Sequence, residues 1–140
     1  MKAYTDIEQS KKLAEILPIE SADMHYNNGS CRGIDYTELF SAELMPYQEA
    51  LHLMKLHKTN FMFQVIPCWS LAALLEQLPY ELCDDDGNSA YLQINKEDDV
   101  YQLVYTDPYG DFESIETIRY DDFVDACYEM IIKLKEQNLL

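Results

Sequence analysis

The sequence predicts an α+β fold in which an antiparallel meander of three or four strands, in the C-terminal half, packs against flanking helices. Three observations predict it. Leu71, Leu74, Leu75 and Leu78 stand at i, i+3, i+4 and i+7, one buried helical face. Between residues 90 and 105 the period drops to two: Ala90, Leu92 and Ile94 alternate with Tyr91 and Gln93, and Tyr101, Leu103 and Tyr105 with Gln102 and Val104. Turn signals then punctuate that stretch at Asp86-Gly87, at Lys96 to Asp99 and at Asp107-Pro108-Tyr109-Gly110.

The elements follow in order. Thr5 followed by Glu8 makes a capping-box pattern, and Ile7, Leu13, Ala14, Ile16 and Leu17 give an apolar stripe ending before Pro18, so a first helix is expected from about Thr5 to Leu17. Glu20 to Gly33 has no clean period and reads as loop. From Pro46, which suits a first helical turn, Tyr47, Ala50, Leu51, Met54 and Leu56 recur near helical spacing to about His57. Phe61 to Ile66 is a short aromatic and β-branched run, a buried strand closed by Pro67. The leucine helix then occupies Cys68 to Leu78, bracketed by Pro67 and Pro79. In the last turn signal, Asp at i, Pro at i+1 and Gly at i+3 fit a type I turn. A closing helix begins at about Asp121, with Phe123, Val124, Cys127, Met130, Ile131 and Leu134 on one wide face. Asp121 and Asp122 complement the positive end of its dipole, and Lys133 and Lys135 the negative end.

Length and composition fit one domain spanning residues 1–140, with a 48% hydrophobic and 26% charged chain able to fill a core. No opening apolar segment and no long apolar run is present, which implies a cytoplasmic protein without membrane association. In that compartment Cys31, Cys68, Cys83 and Cys127 stay reduced, and none is spaced C-x-x-C.

The net charge of −16 argues against direct binding to nucleic acid, which needs a basic patch to neutralise phosphates. Residues 1–70 carry 9 acids and 6 bases, net −3, and residues 71–140 carry 17 acids and 4 bases, net −13. The expected interaction surface is therefore acidic and lies in the second half, carried by Asp84, Asp85, Asp86, Asp98, Asp99, Asp107 and Asp111, with a basic protein as its partner. Five tyrosines in that half, Tyr91, Tyr101, Tyr105, Tyr109 and Tyr120, suit protein recognition as well as strand formation.

Chemistry-bearing patterns are sparse. Cys68 is the nucleophile candidate, because the start of a helix would lower a thiol pKa, but it needs a base, and His52 and His57 fall on another element. A packed core thiol beside Trp69 is the plainer account. Asp84-Asp85-Asp86-Gly87 imitates a calcium loop, yet aligning Gly87 with the EF-hand glycine places Leu82 at the first position and Gln93 at the twelfth, so an acidic hairpin turn fits better. His25 lies near Asp23 and Tyr26 without metal-site spacing, and no glycine pattern cradles phosphate, so neither a metal nor another cofactor is expected.

The opening MKAYTDIEQSKKLAEILPIESADMHY, the central IPCWSLAALLEQLP and the closing DACYEMIIKLKEQNLL together resemble a family of short hypothetical proteins of gut anaerobic bacteria and their phages or mobile elements. The resemblance covers the two ends and the middle of the chain. The family has no assigned activity, so the resemblance implies a mobile-element setting and transfers no catalytic role. Three readings stay open: an interaction domain with an acidic surface, extending to nucleic-acid mimicry; a small cysteine-dependent hydrolase or transferase using Cys68; and a structural homo-oligomer.

Overall fold

The computed structural model describes residues 1–31, 34–41 and 62–140. They gather into two compact units, Tyr4–Ala73 and Met1–Ala3 with Leu74–Leu140.

In the first unit, helix α1 (Ile7–Ala14) starts two residues later than the sequence suggests. Asp6 is the N-cap: its carboxylate accepts from Gln9 N–H while the Gln9 side chain accepts from Asp6 N–H, so the capping box is Asp6/Gln9 and not Thr5/Glu8. The helix stops before Leu17, because Ile16 and Leu17 turn back to bond the Leu13 carbonyl.

A single 3₁₀ turn, Ile19–Ser21, leads into strand β1 (Met24–Cys31), which pairs antiparallel with β2 (Ile34–Ser41) and β3 (Met62–Cys68) in the order β2-β1-β3. Much of the expected loop Glu20–Gly33 is thus the central strand of a second sheet. β1 forms through pairing on both edges and not through its own weakly apolar sequence. Strand β3 also runs through Pro67 instead of stopping at it. This is possible because β3 is an edge strand among the described residues, where a missing N–H need not face a partner. One face of this sheet buries Tyr26, Ile66 and Cys68 against Ile7 of α1, with Met24 and Leu39 alongside. The expected helix from Pro46 to His57 lies outside the described residues.

Helix α2 (Leu71–Gln77) is shorter than the expected Cys68–Leu78, and the boundary between the units falls within it. Ser70 caps it, its hydroxyl accepting from Ala73 N–H at 3.2 Å, and Asp23 in turn accepts from Ser70 N–H at 2.8 Å.

The second unit holds the expected meander as a four-stranded antiparallel sheet, β4 (Glu81–Cys83), β5 (Ser89–Glu97), β6 (Val100–Thr106) and β7 (Ile115–Glu116), neighbours in chain order. Helices stand before and after it in the chain. Tyr101, Leu103 and Tyr105 of β6 are buried on the inner face, where they meet helix α3 (Phe123–Glu136) through Val124, Cys127, Met130, Ile131 and Leu134. Phe123 stacks flat on Tyr101, with ring centroids 4.9 Å apart.

Asp122 caps α3 through Val124 N–H, and the Lys2 ammonium ties the same end at 2.9 Å from Asp125. At the other end Leu139 N–H reaches Leu134 O and Asn138 N–H reaches Lys135 O, with Asn138 at φ 56°, a left-handed helix stop. Among the described residues no helix is long and apolar enough to cross a membrane.

Candidate functional site

Two groups of polar side chains stand out, one closed and one open. The closed group surrounds Cys68. This residue ends β3 instead of starting a helix, so the helix-terminus field invoked to activate its thiol is missing. The thiol is fully buried and donates to the Thr5 carbonyl at 3.5 Å, the carbonyl that also accepts from Tyr26 Oη at 2.6 Å. Thr5 is the hub: its hydroxyl is hydrogen-bonded to Ser10 at 2.7 Å, accepts from Trp69 N–H at 3.2 Å and lies 3.5 Å from the Cys68 sulfur. Burial pushes the Cys68 thiol above its ordinary range, and the hydroxyls of Thr5, Ser10 and Tyr26 pull it back only in part.

Among the described residues no histidine stands on its side of the sheet. His25 faces Pro67 in the β1–β3 register whereas Cys68 faces Met24, and alternation along a strand places these two pairs on opposite faces. His25 is itself fully buried, and that burial lowers its pKa and keeps the imidazole neutral. His52 and His57 lie outside the described residues. The arrangement ties Thr5, Ser10, Tyr26 and Trp69 together around a Cys68 that has no exposed surface.

The open group is built by the two turns at one end of the meander. In the first, Asp84 accepts from Asp86 N–H at 3.0 Å and from the backbone and side-chain N–H groups of Asn88 at 2.8 and 2.9 Å. Gly87 closes this turn at φ 83°. In the second, Asp107 accepts from the N–H groups of Tyr109, Asp111 and Phe112 at 2.8, 2.9 and 2.9 Å, and Gly110 N–H returns to Asp107 O at 3.1 Å with φ 78°. Both carboxylates are held below their usual range, Asp84 chiefly by the Asn88 side chain and Asp107 chiefly by Tyr109 N–H. They build the turns. The carboxylates exposed for a partner are Asp85, Asp86 and Asp111.

These turns, more than twenty residues apart in the chain, line one open depression of about 290 Å³ together with Ser89, Tyr91 and Tyr109. Tyr109 is 88% exposed and Tyr80 75%. Tyr80 lies 5.8 Å from the Tyr91 ring, and the Glu81 carboxylate next to Tyr91 raises that phenol's pKa. Tyr80 was not singled out from the sequence; its place beside Pro79, at the mouth of a strand, was the available signal.

Asp98 and Asp99 stand elsewhere. They form the two-residue loop between Glu97 and Val100, at the far end of β5 and β6. With about 3.3 Å per residue, the length of β5 separates them from the other turns by roughly 25 Å. That is several times the Debye length of about 8 Å at physiological ionic strength, so the seven aspartates act as two acidic poles. Among the described residues no three His, Cys, Asp or Glu side chains are grouped to hold a metal ion. No family model, curated protein or solved structure matches the chain.

Proposed function

We propose that the chain is a non-catalytic interaction domain that meets a basic protein through the acid-and-tyrosine end of its meander, with Asp85, Asp86, Asp111 and Glu81 set around Tyr80, Tyr91 and Tyr109. The observation that carries this reading is the convergence of two distant turns on one depression beside a tyrosine 88% exposed. Nothing in the fold of the unit calls for that ring in solvent, and an aromatic face beside carboxylates suits an arginine or lysine, through cation–π attraction and charge together. The field of a half-chain at net −13 speeds the encounter.

In its finer form the acidic end occupies the nucleic-acid groove of its partner, in the cytoplasm and in the accessory setting of a phage or mobile element that the family resemblance implies. The closed surroundings of Cys68 favour no hydrolase or transferase reading beside it.

The test is capture of partners from lysate by the tagged protein, followed by a salt wash. A basic protein retained by wild type, but lost at high salt and lost with Asp85→Asn/Asp86→Asn/Asp111→Asn, supports the reading. Capture of nothing at any salt, or undiminished retention by that triple variant, overturns it.

A further inference from the structure

β5 is nine residues long and β4 only three, pairing with Ser89, Ala90 and Tyr91. Leu92 N–H still reaches back to Tyr80 O at 3.0 Å, the last backbone bond on that side among the described residues. Alternation along the strand then fixes the next groups: the N–H and C=O of Ile94 and Lys96 point the same way as those of Leu92, away from β6. The β6 side agrees, since Leu103, opposite Ile94, turns its N–H and C=O to Thr117 and not to β5. Residues 93–97 are all exposed, and Ile94 shows 46% of its surface although it shares the inner face with Leu103.

From this edge we infer that β5 accepts an extended segment of a basic partner as an added antiparallel or parallel strand along Gln93–Glu97. The inference rests on the reading of a basic partner and names the structure that the partner must adopt. Backbone groups of Ile94 and Lys96 supply the hydrogen bonds. Acidic residues border the edge at both ends, Glu81 at one and Asp98 and Asp99 at the other, while Glu97 is paired with Arg119 at 3.4 Å; the carboxylates left over select lysines or arginines in the incoming strand.

A lysine on an open edge commonly guards it against pairing. Lys96 is drawn off that duty, because its ammonium lies 5.4 Å from the centroid of the Tyr101 ring on the inner face. A second copy of the chain is the poorer occupant: it would bring together two molecules of net charge −16 over five residues of strand.

The probe is a capped heptapeptide alternating lysine and valine, compared with the same peptide methylated on alternate backbone nitrogens and with a glutamate–valine version. Binding of the first is expected, with a Kd weaker by about tenfold or more for the methylated peptide, the loss that follows when strand hydrogen bonds are removed. The bound peptide should slow hydrogen exchange at the Ile94 and Lys96 amides by about tenfold or more. Ile94→Pro and, separately, Lys96→Pro remove an outward N–H while leaving the β6 ladder in place, and each should weaken binding, whereas Ile94→Ala should retain most of it.

Equal binding of methylated and plain peptides overturns strand addition while leaving the acidic reading intact. Equal binding of the glutamate peptide overturns the charge argument. Slow exchange at Ile94 and Lys96 without peptide, with a concentration-dependent dimer in sedimentation, overturns it in favour of a second copy. Failure of the acidic reading shows separately, as loss of no partner in the Asp85/Asp86/Asp111 variant.

Discussion

Thr5 and Asp107 each gather three polar neighbours with one side chain, and they do so in opposite surroundings. Thr5 is fully buried and touches Ser10, Cys68 and Trp69 N–H; Asp107 lies in a turn at the surface and accepts from Tyr109, Asp111 and Phe112. The number of bonds is the same, so the difference in consequence comes from solvent. If Asp107 is lost, water can take its place at the Tyr109 and Asp111 amides. If Thr5 is lost, the Ser10 hydroxyl and Trp69 amide remain buried without a partner, and that costs more than the bonds themselves contributed. The same contrast separates a surface turn that is free to serve recognition from a buried cluster that cannot be opened.

The strongest test of this contrast is chemical access. In a brief iodoacetamide pulse at pH 8, read by peptide mass spectrometry, exposed Cys83 should be alkylated ahead of Cys68 and Cys127. Cys68 and Cys127 should lag it by a factor on the order of 10³ or more, since both wait for the unit around them to open. Rapid alkylation of Cys68 would break the comparison and restore that thiol as a nucleophile.

Stability should divide along the same line. Thr5→Val keeps the shape of the side chain and deletes the hydroxyl, and a loss of about 2–4 kcal/mol is expected from the two buried groups it orphans. Urea titration measures it as a lower midpoint at constant slope. Asp107→Ala should shift the midpoint less. Thr5→Val/Ser10→Ala removes one orphan and should recover part of the loss; equal losses for Thr5→Val and Asp107→Ala would show that burial does not decide the matter.

Titration sharpens the comparison from both sides. Asp84 and Asp107 are depressed in the folded state, so their contribution is present above the ordinary carboxylate range and is lost as pH falls through their folded values. Cys127 runs the other way: burial pushes its thiol up to about 12 from an ordinary 9.0, so stability is complete below pH 9 and declines as pH rises toward 12. The decline amounts to about 1.4 kcal/mol per pH unit in that window. Melting temperatures from pH 3 to 11 should show both flanks, with Cys127→Ala flattening the alkaline one and Asp84→Asn/Asp107→Asn the acid one. An alkaline slope unchanged in Cys127→Ala would mean that the thiol is not closed off as the structure has it.

The C-terminal half was legible because each of its boundaries is written in residues with one conformational use. Asp107-Pro108-Tyr109-Gly110 specifies its turn, Asp121 and Asp122 mark the start of its last helix, and the alternation of Tyr101, Leu103 and Tyr105 gives its buried face. Of the first sheet only β3 was legible, in the run Phe61 to Ile66; its centre was hidden because β1, with Asn27, Asn28, Gly29 and Ser30, has neither period nor propensity and exists through pairing on both sides. Cys68 was misplaced for a related reason: Pro67 reads as a boundary until β3 is known to be an edge strand. The split of the aspartates into two poles follows from register, which no composition contains.

The smallest effect isolates backbone geometry from packing. Gly87 and Gly110 occupy positive φ in the meander, and a methyl group added at either meets nothing within 4 Å. The third such position in the sheet, at φ 54°, is Asp98, where a side chain already stands. Gly110→Ala should therefore cost about 1 kcal/mol through conformation alone, because no contact is made or lost. Asp98→Gly removes a comparable strain but gives the unfolded chain more freedom, so the net gain should be only about 0.5 kcal/mol. The two changes are conformational inverses in one sheet, and urea midpoints that move in opposite directions would confirm that strain sets both. A loss of stability in Asp98→Gly would show instead that the Asp98 side chain holds the β5–β6 loop, and would place that acidic pole, like Asp84 and Asp107, among the groups that build turns before they meet a partner.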